Sequence, residues 1–101
     1  MSESFADILK KLSKKSPVLN KIYIISQLRE KWSDVIKDTM LQDTWVQDYE
    51  PKSRTLVVGC SNNYEMQEVI LNKLNISEES NRILNESLIC EVRAVKRRGK
   101  D

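Results

Sequence analysis

The chain has 101 residues, 40% hydrophobic and 32% charged, and its 17 basic and 15 acidic side chains leave a net charge of +2. That length holds one domain, in which folding buries roughly two thirds of the extended chain's surface, and two glycines with two prolines exclude a linker-dominated chain. With no histidine and only Cys60 and Cys90 as thiols, zinc sites built on histidine or on cysteine alone are excluded.

Residues 4 to 13 place Phe5, Ile8, Leu9 and Leu12 at helical spacing, with Lys10, Lys11 and Lys14 on the solvent side, which predicts a short amphipathic helix. Ser16-Pro17 is a helix start, with Ser16 as cap and Pro17 where its missing N–H costs nothing. Leu19, Ile22, Ile25, Leu28, Trp32, Val35, Ile36 and Met40 then recur at intervals of three and four, predicting one long helix of about six turns.

Thr44 to Tyr49 and Thr55 to Cys60 are rich in β-branched and aromatic residues and flank the polar loop Glu50-Pro51-Lys52-Ser53, so an antiparallel hairpin is expected. Leu56, Val58 and Cys60 share one face of its second strand. On the first strand, Trp45, Gln47 and Tyr49 oppose Thr44, Val46 and Asp48, and alternation alone does not choose the buried face.

Asn62, three residues before Glu65, forms a capping-box pattern, and Met66, Val69, Ile70, Lys73 and Leu74 continue a helix to about Asn75. Ser77-Glu78-Glu79 is expected to open a further short helix ending near Leu84 or Asn85. Leu88, Cys90, Val92 and Ala94 alternate with Ile89, Glu91, Arg93 and Val95 as a last strand.

This order and its landmark residues resemble the DciA family, which includes bacterial replicative-helicase loaders. The family pattern is a helix ending in Trp-Pro-x-x-Val-Gly, a hairpin whose second strand reads Leu-x-Val-x-x-x-Ser, an aromatic opening the next helix, then Leu-Leu-x-x-Leu-Asn. The matching positions are Trp32, Val35 or Ile36, Leu56, Val58, Ser61, Tyr64, Ile70, Leu71, Leu74 and Asn75, within a likeness covering about residues 16 to 95. Ser33 stands for the usual proline, Lys37 for the glycine and Tyr64 for the tryptophan; Arg54-Thr55 occupy the place where glycine often precedes the second strand. The segment from Ile76 to Ser87 is longer than the family's turn, as in a divergent member.

The resemblance implies a KH-like α+β domain, helix-helix-strand-strand-helix-(short helix)-strand, whose three-stranded sheet packs on helices. It spans residues 1–95, with 96–101 a flexible basic tail. It further implies a non-enzymatic DNA-replication accessory protein that binds the replicative helicase and assists its loading on single-stranded DNA, held weakly. The Gly-x-x-Gly loop of true KH domains is missing, since only Gly59 and Gly99 exist.

The residue-level case for nucleic-acid contact is basic clustering, because phosphate contacts need lysine and arginine placed together without fixed spacing. Lys10, Lys11, Lys14, Lys15 and Lys21 cluster near the start and Lys96, Arg97, Arg98 and Lys100 near the end, forming one patch if the two ends meet. Glu65, Glu68, Glu78, Glu79 and Glu86 make the later middle acidic.

Trp45 and Tyr49, two strand intervals apart on one face, are the candidate partner-binding aromatics, against filling a sheet–helix interface. Trp32 reads as core and both cysteines as inert thiols. No catalytic constellation, cofactor site or metal site is expected. No apolar run reaches the roughly 20 residues of a membrane span and Met1-Ser2-Glu3-Ser4 lacks a signal pattern, so a cytoplasmic, membrane-free protein without structural disulfides is expected. The same order and charges also permit a KH-like RNA- or ribosome-associated binder, or a protein-interaction module that never touches nucleic acid.

Overall fold

The computed structural model describes Ser4, residues 7–8, Lys11, residues 16–37, Leu41 and residues 43–96. Most of the first predicted helix lies outside them, although Asp7, Ile8 and Lys11 are helical. Helix α1 (Pro17–Glu30) starts as its sequence dictates, with the Leu19 N–H donating to the Ser16 hydroxyl at 3.4 Å and Pro17 in the first turn.

The long helix expected from Pro17 toward Met40 is not formed. Lys31, at φ −107° and ψ 16°, interrupts it, and a five-residue helix α2 (Trp32–Ile36) follows and stops at Lys37, whose φ is 29°. The break lets α2 aim its own side inward. Trp32, Val35 and Ile36 are buried, and the Trp32 indole donates to Thr44 Oγ1 at 3.1 Å, which in turn donates to the Leu41 carbonyl at 2.6 Å. On α1 the buried stripe is Tyr23, Ile24 and Leu28. A helix facing one sheet edge and one neighbouring helix buries a single stripe, so Ile22, expected in the core, is left 47% exposed.

Strands β1 (Trp45–Glu50) and β2 (Thr55–Cys60) form the expected antiparallel hairpin, with Arg54 closing the loop at φ 56°. Helices α3 (Asn63–Leu71) and α4 (Lys73–Leu84) then carry the chain to β3 (Glu91–Lys96), which lies parallel to β2 in a three-stranded sheet of order β1-β2-β3. The architecture is thus α+β, a mixed sheet packed on helices. A parallel neighbour requires a crossover, and α3 and α4 supply it while packing on β3.

A bulge decides which face of β1 is buried. Val46 pairs with Val58 and Asp48 with Val57, so Gln47 is an extra residue without a partner. Strict alternation would put Val46 and Tyr49 on opposite faces; the extra residue brings both onto the core face beside Val58 and Leu56. Trp45, which pairs with Gly59, goes to the other face.

Asn62 accepts the Glu65 N–H at 2.8 Å, and the Glu65 carboxylate reaches back to the Ser61 N–H at 2.7 Å, a capping box displaced by one residue. The helix so started ends at Asn72, whose side-chain amide donates to the Glu68 carbonyl at 2.7 Å. Helix α4 begins immediately, at Lys73 instead of the expected Ser77, because the Asn72 carbonyl already accepts the Ile76 N–H.

The last strand is also shorter than its alternating pattern predicts. Asn81, on α4, accepts the N–H groups of Leu88 and Ile89 at 3.0 and 2.8 Å and donates to the Ile89 carbonyl at 3.0 Å. One side-chain amide therefore takes the place of a neighbouring strand, and pairing with β2 starts only at Glu91.

Candidate functional site

The main unburied apolar surface of the described helices beyond the hairpin runs along α3 into α4. On α3 the core takes Glu65 and Val69, with Met66 partly buried. Residues 69–71 are Val-Ile-Leu, and a helix turns about 100° per residue, so three consecutive apolar side chains do not all face one core. Ile70 and Leu71 are 55% and 76% exposed, Tyr64 is 53% exposed at the start of the helix, and Leu74 on the first turn of α4 is 73% exposed.

Leu71 stands between two hollows. One, of about 470 Å³, is lined by Asn63, Met66, Gln67, Ile70 and Leu71; the other is lined by Asn63, Tyr64, Gln67, Glu68 and Leu71. A third groove separates the start of α4, at Lys73, Leu74 and Ser77, from Cys90, Glu91 and Val92. Lys73 closes part of that groove by an ion pair with Glu91 at 2.8 Å. The Lys73 hydrogen bond, with the Val92 N–H donating to the same oxygen, holds the Glu91 carboxyl below its ordinary range.

Of the predicted basic residues, Lys11, Lys21 and Lys96 are among the described positions. Lys21 is ion-paired with Asp48 of β1 at 3.0 Å, whereas Lys96 ends β3 on the opposite edge of the sheet. Two strand spacings separate those edges, about 10 Å before any offset along the strands. Lys11 is exposed, and Lys10, Lys14, Lys15, Arg97, Arg98 and Lys100 lie outside the described residues. Lys96, assigned above to a flexible tail, is part of β3.

Trp45 and Tyr49 do not share a face. Tyr49 is 2% exposed, and its hydroxyl donates to the Leu88 carbonyl at 2.7 Å, so it is a core residue; burial pushes its phenol pKa up. Trp45 lies half-buried on the other face, across Gly59, and its indole donates to Gln47 Oε1 at 2.7 Å. A Cβ at position 59 would overlap the indole ring, which explains the glycine there. That face also carries an ion pair from Arg93 on β3 to Glu50 on β1 at 3.0 Å, across β2.

Cys60 is buried, and burial, reinforced by Glu65, pushes its thiol up to about 11; Cys90 is exposed. Among the described residues no group of three or more Cys, Asp or Glu side chains is arranged to hold a metal, and no helix is long and apolar enough to cross a membrane. The charged pairs are structural. Glu79 accepts from Arg82 at 2.7 Å and from Lys37 at 3.4 Å, tying the end of α2 to α4, and its carboxyl is held low, mainly by the Arg82 hydrogen bond.

The chain matches no family model, no curated protein and no solved structure. The features that can bind a partner are therefore those of the surface itself. Sequence reasoning read Ile70, Leu71 and Leu74 as scaffold and did not foresee that they and Tyr64 are exposed. The signal was the run Val69-Ile70-Leu71, which carries more apolar surface than one helix face accommodates.

Proposed function

We propose that this chain is a non-enzymatic binding domain whose docking surface is the strip Tyr64, Ile70, Leu71 and Leu74. The observation that carries the reading is that four large apolar side chains on successive helices are each more than half exposed. Such a patch costs little when a partner covers it, and removal from water of each side chain contributes about 1.5–3 kcal/mol before ordering losses. The hydrogen-bonded side chains described above serve caps, ion pairs and strand faces, which suits a scaffold for binding.

The proposed partner is the replicative DNA helicase, on the resemblance of the pattern from Trp32 to Asn75 to the DciA family. In that role the domain assists helicase loading on single-stranded DNA in the cytoplasm. Lys21, Lys37 and Lys73 are committed to ion pairs with Asp48, Glu79 and Glu91. Weak DNA contact falls to Lys96 and the basic run after it.

Titration of the chain against the hexameric helicase of the same cell tests this. Binding in the micromolar range, weakened about tenfold or more by Leu71→Ser with Leu74→Ser, supports it. Wild-type chain that fails to bind at tens of micromolar overturns the helicase assignment.

A further inference from the structure

The apolar strip is bordered by carboxylates that the fold leaves unused. Of the acidic side chains on α3 and α4, Glu65 closes the helix cap and Glu79 is held between Lys37 and Arg82. Glu68 and Glu78 have no ion pair among the described residues. Their positions are not random with respect to the strip. Glu68 is four residues after Tyr64 and three before Leu71, so the three occupy one side of α3, and they line one hollow together. Glu78 is four residues after Leu74 on α4 and is exposed.

On α3 the order is Tyr64, Glu68, Leu71, and on α4, past the one-residue break at Asn72, Leu74 is followed one turn on by Glu78. Lys73, the basic residue between them, is drawn toward β3 by Glu91 and leaves the strip's own charge negative. A partner that sets apolar side chains against Leu71 and Leu74 can bring a cation beside each to Glu68 or Glu78. Apolar anchors at intervals of three and four with cations along their flank are the pattern of an amphipathic helix.

Resting on the docking surface proposed above, we infer that its partner element is an amphipathic helix with a basic flank, seated along α3 and the first turns of α4 with its cations against Glu68 and Glu78. Generic attraction does not produce this preference, since the whole chain carries a net charge of +2 and repels a cationic peptide at long range.

Two synthetic helices of about 18 residues, five turns, with the same leucine face and either lysine or glutamate flanks, are the probes. Fluorescence anisotropy with the full chain is expected to show the lysine helix binding at least about tenfold tighter, with the margin shrinking as salt rises. Glu68→Lys with Glu78→Lys is expected to reverse the preference, and Leu71→Ser with Leu74→Ser to weaken both helices. Equal affinity for the two helices, no binding of the lysine helix, or a preference that survives the double charge reversal overturns the inference. Helicase binding that responds to the leucine variants but not to the charge reversal leaves the docking surface standing and removes the basic flank. Selection of the lysine helix with no helicase binding keeps the docking surface and its basic-flanked partner and removes the helicase assignment.

Discussion

Deleting Gln47 removes the extra residue of the β1 bulge, and the fold is expected to tolerate it. In the shortened strand Trp45, Val46, Asp48, Tyr49 and Glu50 alternate without interruption, keeping Val46 opposite Val58 and Tyr49 opposite Leu56 as now. The loss is the Trp45–Gln47 hydrogen bond of 2.7 Å, at a half-buried position, and such a bond contributes about 0.5–1.5 kcal/mol net. A cost near 1 kcal/mol corresponds to a Tm lower by about 4–8 °C in a domain of this size. Inserting a serine after Gln47 is costlier: Val46 and Tyr49, then four positions apart, again share a face under strict alternation, but pairing from Val46 carries Tyr49 two residues past Leu56, beyond the end of β2. Those side chains are 1% and 2% exposed, and Tyr49 also bonds the Leu88 carbonyl. Lost burial of about 1.5–3 kcal/mol with the lost bond puts the insertion at about 3 kcal/mol or more, roughly 12–24 °C. Thermal unfolding followed by circular dichroism compares the two variants with the parent chain. A deletion as damaging as the insertion refutes the account of the bulge as the device that sets the buried face.

Three further outcomes follow from individual groups. Ser80 is fully buried on α4, and its hydroxyl has no hydrogen-bond partner among the described residues, so Ser80→Ala is expected to stabilise by about 1 kcal/mol; a lower Tm would show that the hydroxyl has a role in the fold. With Cys60 buried and its thiol pushed up to about 11 while Cys90 is exposed, a maleimide at about pH 8 should label one thiol per native chain and two in denaturant. Native Cys90→Ser chain that still labels rapidly contradicts this. The Glu79 and Glu91 carboxyls are held below the ordinary value of 4.5, chiefly by hydrogen bonds from Arg82 and Lys73 respectively. A carboxyl lower in the folded than in the unfolded chain adds stability that is complete above the unfolded value and is lost as pH falls through the folded one. The Tm should therefore decline as pH drops below that value, and Glu79→Gln with Glu91→Gln should flatten the decline; an unchanged slope counts against the two ion pairs.

Local chemistry carried most of the fold. Ser16-Pro17 and the Asn62/Glu65 pair mark helix starts because side-chain acceptors for orphan N–H groups lie within three residues, and the β-branched runs mark both hairpin strands. What escaped depended on contacts distant in sequence. The apolar spacing from Leu19 to Ile36 runs straight through Lys31, while the Trp32–Thr44 contact that the break accompanies joins residues twelve apart. A bulge changes strand parity at one residue, and nothing in Trp-Val-Gln-Asp-Tyr announces it. At the candidate site the lysine clusters were legible as charge, but the partners of Lys21 and Lys73 come from strands remote in sequence. The exposure of Leu71 and Leu74 was hidden because apolar residues at helical spacing look the same whether a core or a partner covers them.

The amide of Asn81 has a consequence for the order in which the molecule assembles. The β1–β2 hairpin joins strands four residues apart, whereas β3 reaches its place beside β2 only after the whole of α3 and α4. Closing that longer loop carries the larger entropic penalty, and wherever α4 is formed Asn81 lessens it by fixing Leu88 and Ile89 to that helix just ahead of the first ladder residue, Glu91. The third strand is delivered in register by a helix, so its amides should be the first of the sheet to exchange with solvent when α4 loosens.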